Sequence, residues 1–360
     1  VYKRQVLVEG DALDTGPEMV AERIQAVLAE PFVLDGPDGL SLPVRASIGV
    51  AIGARETAED LIRDADVALY QAKAGGKDRY VVFRPEMQVA VEDRLSLEMD
   101  LRDALERDEL YLVYQPIFDL RTVTPKGVEA LLRWNHPTRG VVPPMEFVPL
   151  AEELGLIVPI GRFVLEKACT QAAEWHASGY PIDVAVNVSA RQLESSSFID
   201  DVRQALDQSG LPPTSLTLEI TETTIMRDPN MTAAMLREIK SLGVKISIDD
   251  FGTGYSSLSY LRHFSIDSLK IDSSFITRVS ETNDSAVLIH TLIQLGKALG
   301  IETLAEGIEE EGQLARLQRE QCDSGQGYLF AKPLEPEAIV AFFAHQPALS
   351  GEPRATSERV

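Results

Sequence analysis

The sequence predicts an α/β protein, with a parallel sheet or barrel over most of its length and a smaller α+β unit before it. Three observations carry this expectation. From Leu110 onward, short β-rich runs alternate with helical segments; each run carries a polar residue near its end; and those polar residues share one face of their strands. At 360 residues the chain has room for one large domain and one small one.

Composition bounds the function classes. A hydrophobic content of 44% and a charged content of 25% are ordinary globular values. The formal charge of −22 disfavours duplex nucleic acid and anionic lipid, so an anionic ligand must meet a local cation such as a bound metal. Cys169 and Cys322 show neither metal-ligand spacing nor a disulfide framework, which favours a reducing, cytoplasmic compartment. The five histidines form no His-Glu-x-x-His pattern, which argues against zinc. No apolar run approaches the ~20 residues of a membrane span and no signal peptide is visible, so this segment is expected to make no membrane contact, with an anchor upstream of Val1 left open.

The first unit is placed at residues 1–84. Val20, Ala21, Ile24, Val27 and Leu28 recur at helical spacing, Pro31 to Leu34 reads as a strand, Gly36 to Gly39 as a turn, and Leu42 to Ala51 as a second strand. A helix over Ala58 to Lys73 ends at Gly75-Gly76, before a strand from Arg79 to Phe83. Ser47 to Ala51 and Leu61 to Lys73 resemble the C-terminal half of GGDEF-type diguanylate cyclase domains. In that family the Gly-Gly-Asp-Glu-Phe signature immediately precedes a strand like Val6 to Glu9, where this chain has Val1-Tyr2-Lys3-Arg4-Gln5. The unit is therefore expected to be partial and to have no catalysis of its own. Lys73 and Lys77, at positions that resemble triphosphate contacts, read as solvated helix-end lysines. Residues 85–109 contain no Gly or Pro after Pro85 and are expected to form a linker helix, either a signalling lever or a plain packing element.

The second unit is placed at 110–345. Its runs are Leu110 to Gln115, Gly127 to Leu132, Val184 to Val188, Leu216 to Ile220, Val244 to Asp250, Ser268 to Asp272, Thr303 to Glu306 and Gly325 to Phe330. Helices are expected around Phe198 to Leu206, Met231 to Leu242 and Ala286 to Leu299, and from Pro144 to Leu154. His136 to Gly140 and Val142 to Pro144 read as a loop, and 346–360 as a disordered tail. Within the strands, Ala185 and Asn187, Thr217 and Glu219, Ser247 and Asp249, and Ser268 and Lys270 share one face, with the larger apolar residues on the other. In a barrel the polar set points inward and converges at the C-terminal mouth, where barrels carry their chemistry.

The ligand types that converge are hard oxygens: Glu129, Glu219, Asp249, Asp250 and Glu306, with the amide of Asn187. They suit Mg²⁺ or Mn²⁺ better than zinc or copper. Any one of them taken alone reads more readily as a cap or an ion-pair partner, and Asp249-Asp250 as a helix cap or an Asx-turn. Their recurrence at successive strand ends favours a shared site.

Together with Glu129-Ala130-Leu131 and Arg133, the motifs Asn187-Val188-Ser189, Glu219-Ile220-Thr221-Glu222, Asp249 to Gly254, Lys270-Ile271-Asp272, Ala305 to Glu309 and Gln326-Gly327-Tyr328 resemble the EAL-type cyclic-di-GMP phosphodiesterases. The resemblance implies a TIM-like (β/α)8 barrel with one antiparallel strand, homodimers in many members, and a two-metal site that hydrolyses cyclic di-GMP to linear pGpG. Glu129, Asn187, Glu219 and Asp249 would hold one ion, and Asp249 with Asp250 the second. Lys270 would orient the attacking water, or else serve as an interior ion pair. Glu306 would be the general base or a second-metal ligand. Glu222 would steady the loop from Phe251 to Ser257. Arg133, Gln115, Asp272, Glu309 and Gln326 are candidate substrate contacts. The alternative within the same resemblance is a catalytically silent cyclic-di-GMP receptor.

Overall fold

A computed structural model describes residues 4–8, 16–33, 41–252, 264–277 and 283–345. The chain divides into two compact units, Val1–Asp100 and Leu101–Val360. The expected tail at 346–360, the turn at Gly36 to Gly39 and the loop beyond Gly252 lie outside the described residues.

In the first unit, α1 (Pro17–Ala29) precedes an antiparallel pair of two-residue strands, β1 (Phe32–Val33) and β2 (Ser41–Leu42). β3 (Ile48–Val50) pairs in parallel with β4 (Tyr80–Val82), and α2 (Ala58–Ala74) makes the crossover between them. The single strand expected from Leu42 to Ala51 is thus two short ones. Pro43 follows directly on Leu42 and has no N–H to continue a ladder. Helix α2 starts where Thr57 Oγ1 accepts the Asp60 N–H at 3.1 Å. It lies hard against β3: a β-carbon at Gly49 would sit 2.0 Å from the Ala65 carbonyl oxygen, so glycine sets this approach. The segment from Pro85 to Ala104 is one helix, α3.

In the second unit eight strands close on themselves. They are β5 (Leu110–Asp119), β6 (Thr124–His136), β8 (Asp183–Val188), β9 (Leu216–Thr221), β10 (Lys245–Phe251), β11 (Ser268–Ile271), β12 (Glu302–Ala305) and β13 (Ser324–Gly325). From β6 through β13 the neighbours run parallel, and β5 closes the ring antiparallel to both β13 and β6. The fold is therefore a TIM-like barrel with one reversed strand.

Helices follow the strands: α4 (Pro144–Leu154) and α5 (Ile157–Ala177) precede β8, α6 (Ala190–Leu193) and α7 (Phe198–Ser209) follow it, and α8 (Glu222–Ile225) and α9 (Pro229–Ser241) follow β9. Then come α10 (Ser273–Thr277), α11 (Asn283–Leu299), α12 (Glu311–Glu320) and α13 (Pro336–His345). The outward strand residues Val186, Leu218, Ile246, Ile248, Leu269 and Ile271 are all buried, which fixes which face is left for the interior. Beneath the mouth, Ile117, Ala185 and Leu304 form a small apolar cluster. Trp134 and Trp175 are core residues.

Two strand boundaries need correction. The stretch expected as a loop contains β7 (Gly140–Val142), which returns along β6 with Trp134 facing Val142 and His136 facing Gly140. The turn between them is held by His136 Nδ1, which accepts the Thr138 N–H at 3.2 Å and the Arg139 N–H at 3.3 Å. The last strand does not run to Phe330 but ends at Gly325. At Gly327 a β-carbon would lie 2.1 Å from the Ile308 carbonyl oxygen, so the backbone packs on the neighbouring segment and turns away.

Candidate active site

The strand register sets the level of each functional group. Glu129 faces Gln115 on one side and Ala185 on the other; Asn187 is level with Glu219, and Glu219 with Ser247. Asp249 and Asp250 lie near the end of β10, Lys270 lies in β11, and Glu306 and Gln326 follow β12 and β13 directly. Groups spread over some 200 residues thus meet at one end of the barrel.

Lys270 is the hub. Its Nζ lies 2.7 Å from Glu219 Oε2, 2.7 Å from Glu306 Oε1, 3.3 Å from Asp249 Oδ1 and 3.5 Å from Glu129 Oε2. Glu129 Oε1 accepts from Asn187 Nδ2 at 2.6 Å, and its Oε2 from Gln326 Nε2 at 2.6 Å. The same Gln326 amide reaches Glu306 Oε1 at 3.2 Å. Glu129, Glu219 and Lys270 are almost wholly buried, whereas Asn187 is exposed at the rim, so the cluster opens to solvent on its upper side.

Two adjacent aspartates reach one cavity because the strand is irregular there. The β10–β11 register shifts between Ile248 and Phe251, and Asp250 takes a left-handed backbone with φ of 55°. The Asp250 N–H then donates to Asp249 Oδ1 at 2.9 Å. One oxygen each of Asp249, Asp250 and Glu306 lies within 4.8 Å of the others. Glu222, at the start of α8, accepts the Gly252 N–H at 2.9 Å and so ties the end of β10 to α8. Only the first two residues of the expected loop from Phe251 to Ser257 lie within the described structure.

The electrostatics follow from crowding. Burial and then neighbouring carboxylates push Glu306 up to about 7, against the pull of Lys270. Burial also lifts Glu219 well above the usual carboxylate range, despite Lys270, and burial together with Asp249 and Asp272 raises Asp250. Glu129 is instead held low: burial opposes its charge, but Lys270 and the amides of Gln326 and Asn187 outweigh it. Lys270 is held well above its ordinary range, because its carboxylate neighbours outweigh burial. One ammonium does not neutralise so many carboxylates, and protons or further cations make up the difference.

The sign of the resulting pH dependence is fixed. In a metal-free protein, groups with raised folded-state pKa values hold protons that the unfolded chain releases, so their charging destabilises the fold. For Glu306 the loss falls between its ordinary 4.5 and about 7. The lowered Glu129 contributes stability that is lost only below the ordinary carboxylate range, and Lys270 acts only above the ordinary lysine range, so neither opposes this trend near neutrality. Stability in chelator is expected to fall as pH rises from 5 to 8, by on the order of 2–3 kcal/mol for Glu306 alone, and the melting temperature with it. Saturating Mn²⁺ should reverse the slope, since cations replace the protons. Differential scanning calorimetry with and without chelator measures both, and a flat profile in chelator would contradict the crowding.

The other expected contacts have hydrogen bonds of their own. Gln115 Nε2 donates to the Ala331 carbonyl at 3.4 Å, and an Arg133 guanidinium N–H to the Leu132 carbonyl at 2.9 Å. Asp272 Oδ1 accepts the Ser274 N–H at 3.0 Å, and the main-chain N–H of Glu309 donates to Gln313 Oε1 at 2.8 Å. The geometry brings Gln326 into the carboxylate cluster itself, closer in than a peripheral substrate contact. Sequence reasoning overlooked the box formed by Ser189 and Gln192 just after Asn187, although Ser-x-x-Gln ahead of a short helix is its written signature.

A closed parallel barrel whose C-terminal mouth gathers carboxylates, an amide and one lysine defines a barrel protein built to take up cations and the anions they attract. The chain belongs to the EAL domain family, whose model matches residues 98–333. The bifunctional diguanylate cyclase/cyclic di-GMP phosphodiesterase MucR of Pseudomonas aeruginosa is 40% identical over 332 residues, covering 90% of this chain and 47% of MucR. Cyclic di-GMP phosphodiesterase NbdA of the same organism is 39% identical over 332 residues, covering 91% of this chain and 42% of NbdA. The solved structure of the PaMucR phosphodiesterase in its c-di-GMP complex aligns with a TM-score of 0.66 at 44% identity, covering 68% of this chain and 99% of that one. The chain spans less than half the length of these two curated relatives.

EAL domains are metal-dependent, and the residues present fit a divalent ion. Asp249, Asp250 and Glu306 supply hard oxygens at ligand spacing. Gln326 Oε1, buried beside them, is an acceptor without a partner among the described residues. No described helix is long and apolar enough to cross a membrane.

Proposed function

We propose that this chain hydrolyses cyclic di-GMP to linear pGpG with two divalent ions, Mg²⁺ or Mn²⁺, at the barrel mouth. The observation that carries the reading is the ring of Glu129, Glu219, Asp249 and Glu306 around Lys270, with Asp250 alongside. Glu129, Asn187, Glu219 and Asp249 would hold one ion, and Asp249, Asp250 and Glu306 the other. When bound, the pair supplies Lewis acidity that makes a water nucleophilic and offsets charge on the phosphoryl oxygens.

The chain's own residues do the rest. Lys270 is held by four carboxylates, so its ammonium has a defined position rather than sampling rotamers, and once cations take over some of those carboxylates an N–H would be freed for the attacking water. A water adds to phosphorus, the bond to one ribose 3′ oxygen breaks, and that oxygen takes a proton from solvent and leaves as a hydroxyl. Glu306, poised near neutrality, takes up the proton lost by the water or else serves as a ligand. Glu222 keeps Gly252, and with it the Asp249-Asp250 pair, in place through its 2.9 Å bond. Gln326 positions Glu129 and Glu306 together, and Arg133, Gln115, Asp272 and Glu309 face substrate as phosphate and guanine contacts. In the same reading the first unit is the C-terminal part of a GGDEF-type domain, the segment is cytoplasmic, and the barrel forms a homodimer.

The test is to incubate the purified chain with cyclic di-GMP and Mn²⁺ or Mg²⁺ and to follow products by chromatography. Linear pGpG should accumulate with either ion and stop on adding chelator. Tight binding of cyclic di-GMP without any turnover would overturn the hydrolase reading in favour of a receptor.

A further inference from the structure

The rim of the site is held by a clamp built from α5 and α6. Asn187 is the exposed member of the cluster, and its amide must stay within reach of Glu129 Oε1, to which it donates at 2.6 Å. The chain leaves β8 one residue later. There Gln192 Oε1 accepts the Ser189 N–H at 3.0 Å, while Ser189 Oγ accepts the Gln192 N–H at 3.3 Å. This reciprocal box closes the turn on both sides. Gln192 is only 4% exposed, and its amide lies flat against Gly161 of α5. A β-carbon at Gly161 would sit 1.9 Å from Gln192 Nε2 and 2.4 Å from its Cδ.

We infer that Gly161, Gln192 and Ser189 act together as a positioning clamp for Asn187, setting the affinity of the site for its divalent ion. A helix of four residues gains little from a cap for its own sake, since it has almost no hydrogen-bond ladder to nucleate. The box instead fixes the exit direction of β8, and with it the side chain two residues before Ser189. Glycine at 161 is what lets the amide come so close. The far end of a glutamine is flexible in general, but here Oε1 is tied to the Ser189 N–H and the side chain is almost wholly buried, so moving the amide away from a methyl group at 161 strains that bond. The inference rests on the metal-site reading above, while its primary readout does not require turnover.

Mn²⁺ binding to the chelator-treated chain, followed by titration calorimetry or by the electron paramagnetic resonance of free Mn²⁺, tests it. Gly161→Ala and Gln192→Ala are expected to weaken Mn²⁺ at least 10-fold, with melting temperature in chelator within a few degrees of the parent. Gln192→Glu keeps the acceptor for the Ser189 N–H and should restore Mn²⁺ affinity to within about 3-fold. Ser189→Ala, which removes only one leg of the box, should fall between them and serves in place of Gly161→Ala if that variant does not fold. Unchanged Mn²⁺ affinity in folded Gln192→Ala or Gly161→Ala, or equal weakening by Gln192→Glu, would overturn the clamp. Were the parent to bind Mn²⁺ but not cleave cyclic di-GMP, the hydrolase reading would fail while the clamp was still decided by these affinities.

Discussion

Lys270→Met is expected to lower the melting temperature in chelator by on the order of 10 °C and to cut turnover at least 100-fold. The methionine has nearly the same length and apolar stem but no charge. In the parent, one buried ammonium lies within 3.5 Å of four carboxylates, and its removal leaves them facing one another with no cation among them. Breaking a buried ion pair from one side costs about 3–5 kcal/mol. Part of that cost is recovered when Glu219 and Glu306, already pushed towards the neutral form, take up protons. The variant should therefore be most unstable at alkaline pH and recover below pH 6. Saturating Mn²⁺ should stabilise it more than it stabilises the parent, because the incoming cations meet a more negative site. Calorimetry at pH 6 and 8, with chelator and with Mn²⁺, reads these terms separately. A chelator melting point unchanged at pH 8 would mean that the four carboxylates are not held around Lys270 as described.

Much of this site was legible along the chain because a strand has a side-chain period of two. Once Val184/Val186, Leu216/Leu218 and Ile246/Ile248 are assigned to the face under the helices, Asn187, Glu219 and Asp249 have nowhere to point but inward. What remained hidden depends on contacts between distant segments. That Lys270 meets four carboxylates at once follows from the stagger of β9, β10 and β11, which no local pattern states. Asp250 reaches the cavity through a left-handed backbone and a register shift, where simple alternation would have turned it away. The hairpin of β6 and β7 reads as a loop in sequence because its turn is built around a buried histidine instead of the usual glycine-rich pair. The early end of β13 is dictated by the packing of Gly327 on Ile308, a neighbour invisible in the local sequence.

Glu129→Ala should separate the two things this site does, holding its own charge and holding cations. The parent carboxylate is almost completely buried and takes two amide hydrogen bonds at 2.6 Å, from Asn187 and from Gln326. Removing it strands little. Gln326 Nε2 keeps Glu306 as an acceptor at 3.2 Å, and Asn187 is exposed and turns to water. One like charge also disappears beside Glu219 and Asp249. Because Lys270 also loses a partner, the metal-free protein is expected to be less stable than the parent by on the order of 1–3 kcal/mol and to melt below it, a smaller loss than in Lys270→Met. Turnover is another matter. Glu129 is held ionised by its surroundings, so it meets a cation without first losing a proton. Its loss should reduce pGpG formation by at least 1,000-fold, equivalent to about 4 kcal/mol of transition-state stabilisation, and weaken Mn²⁺ binding in calorimetry. Cyclic di-GMP binding should survive in part through the outer contacts. Hydrolysis within tenfold of the parent would remove Glu129 from the metal site, and with it the central ligand of the proposed reaction.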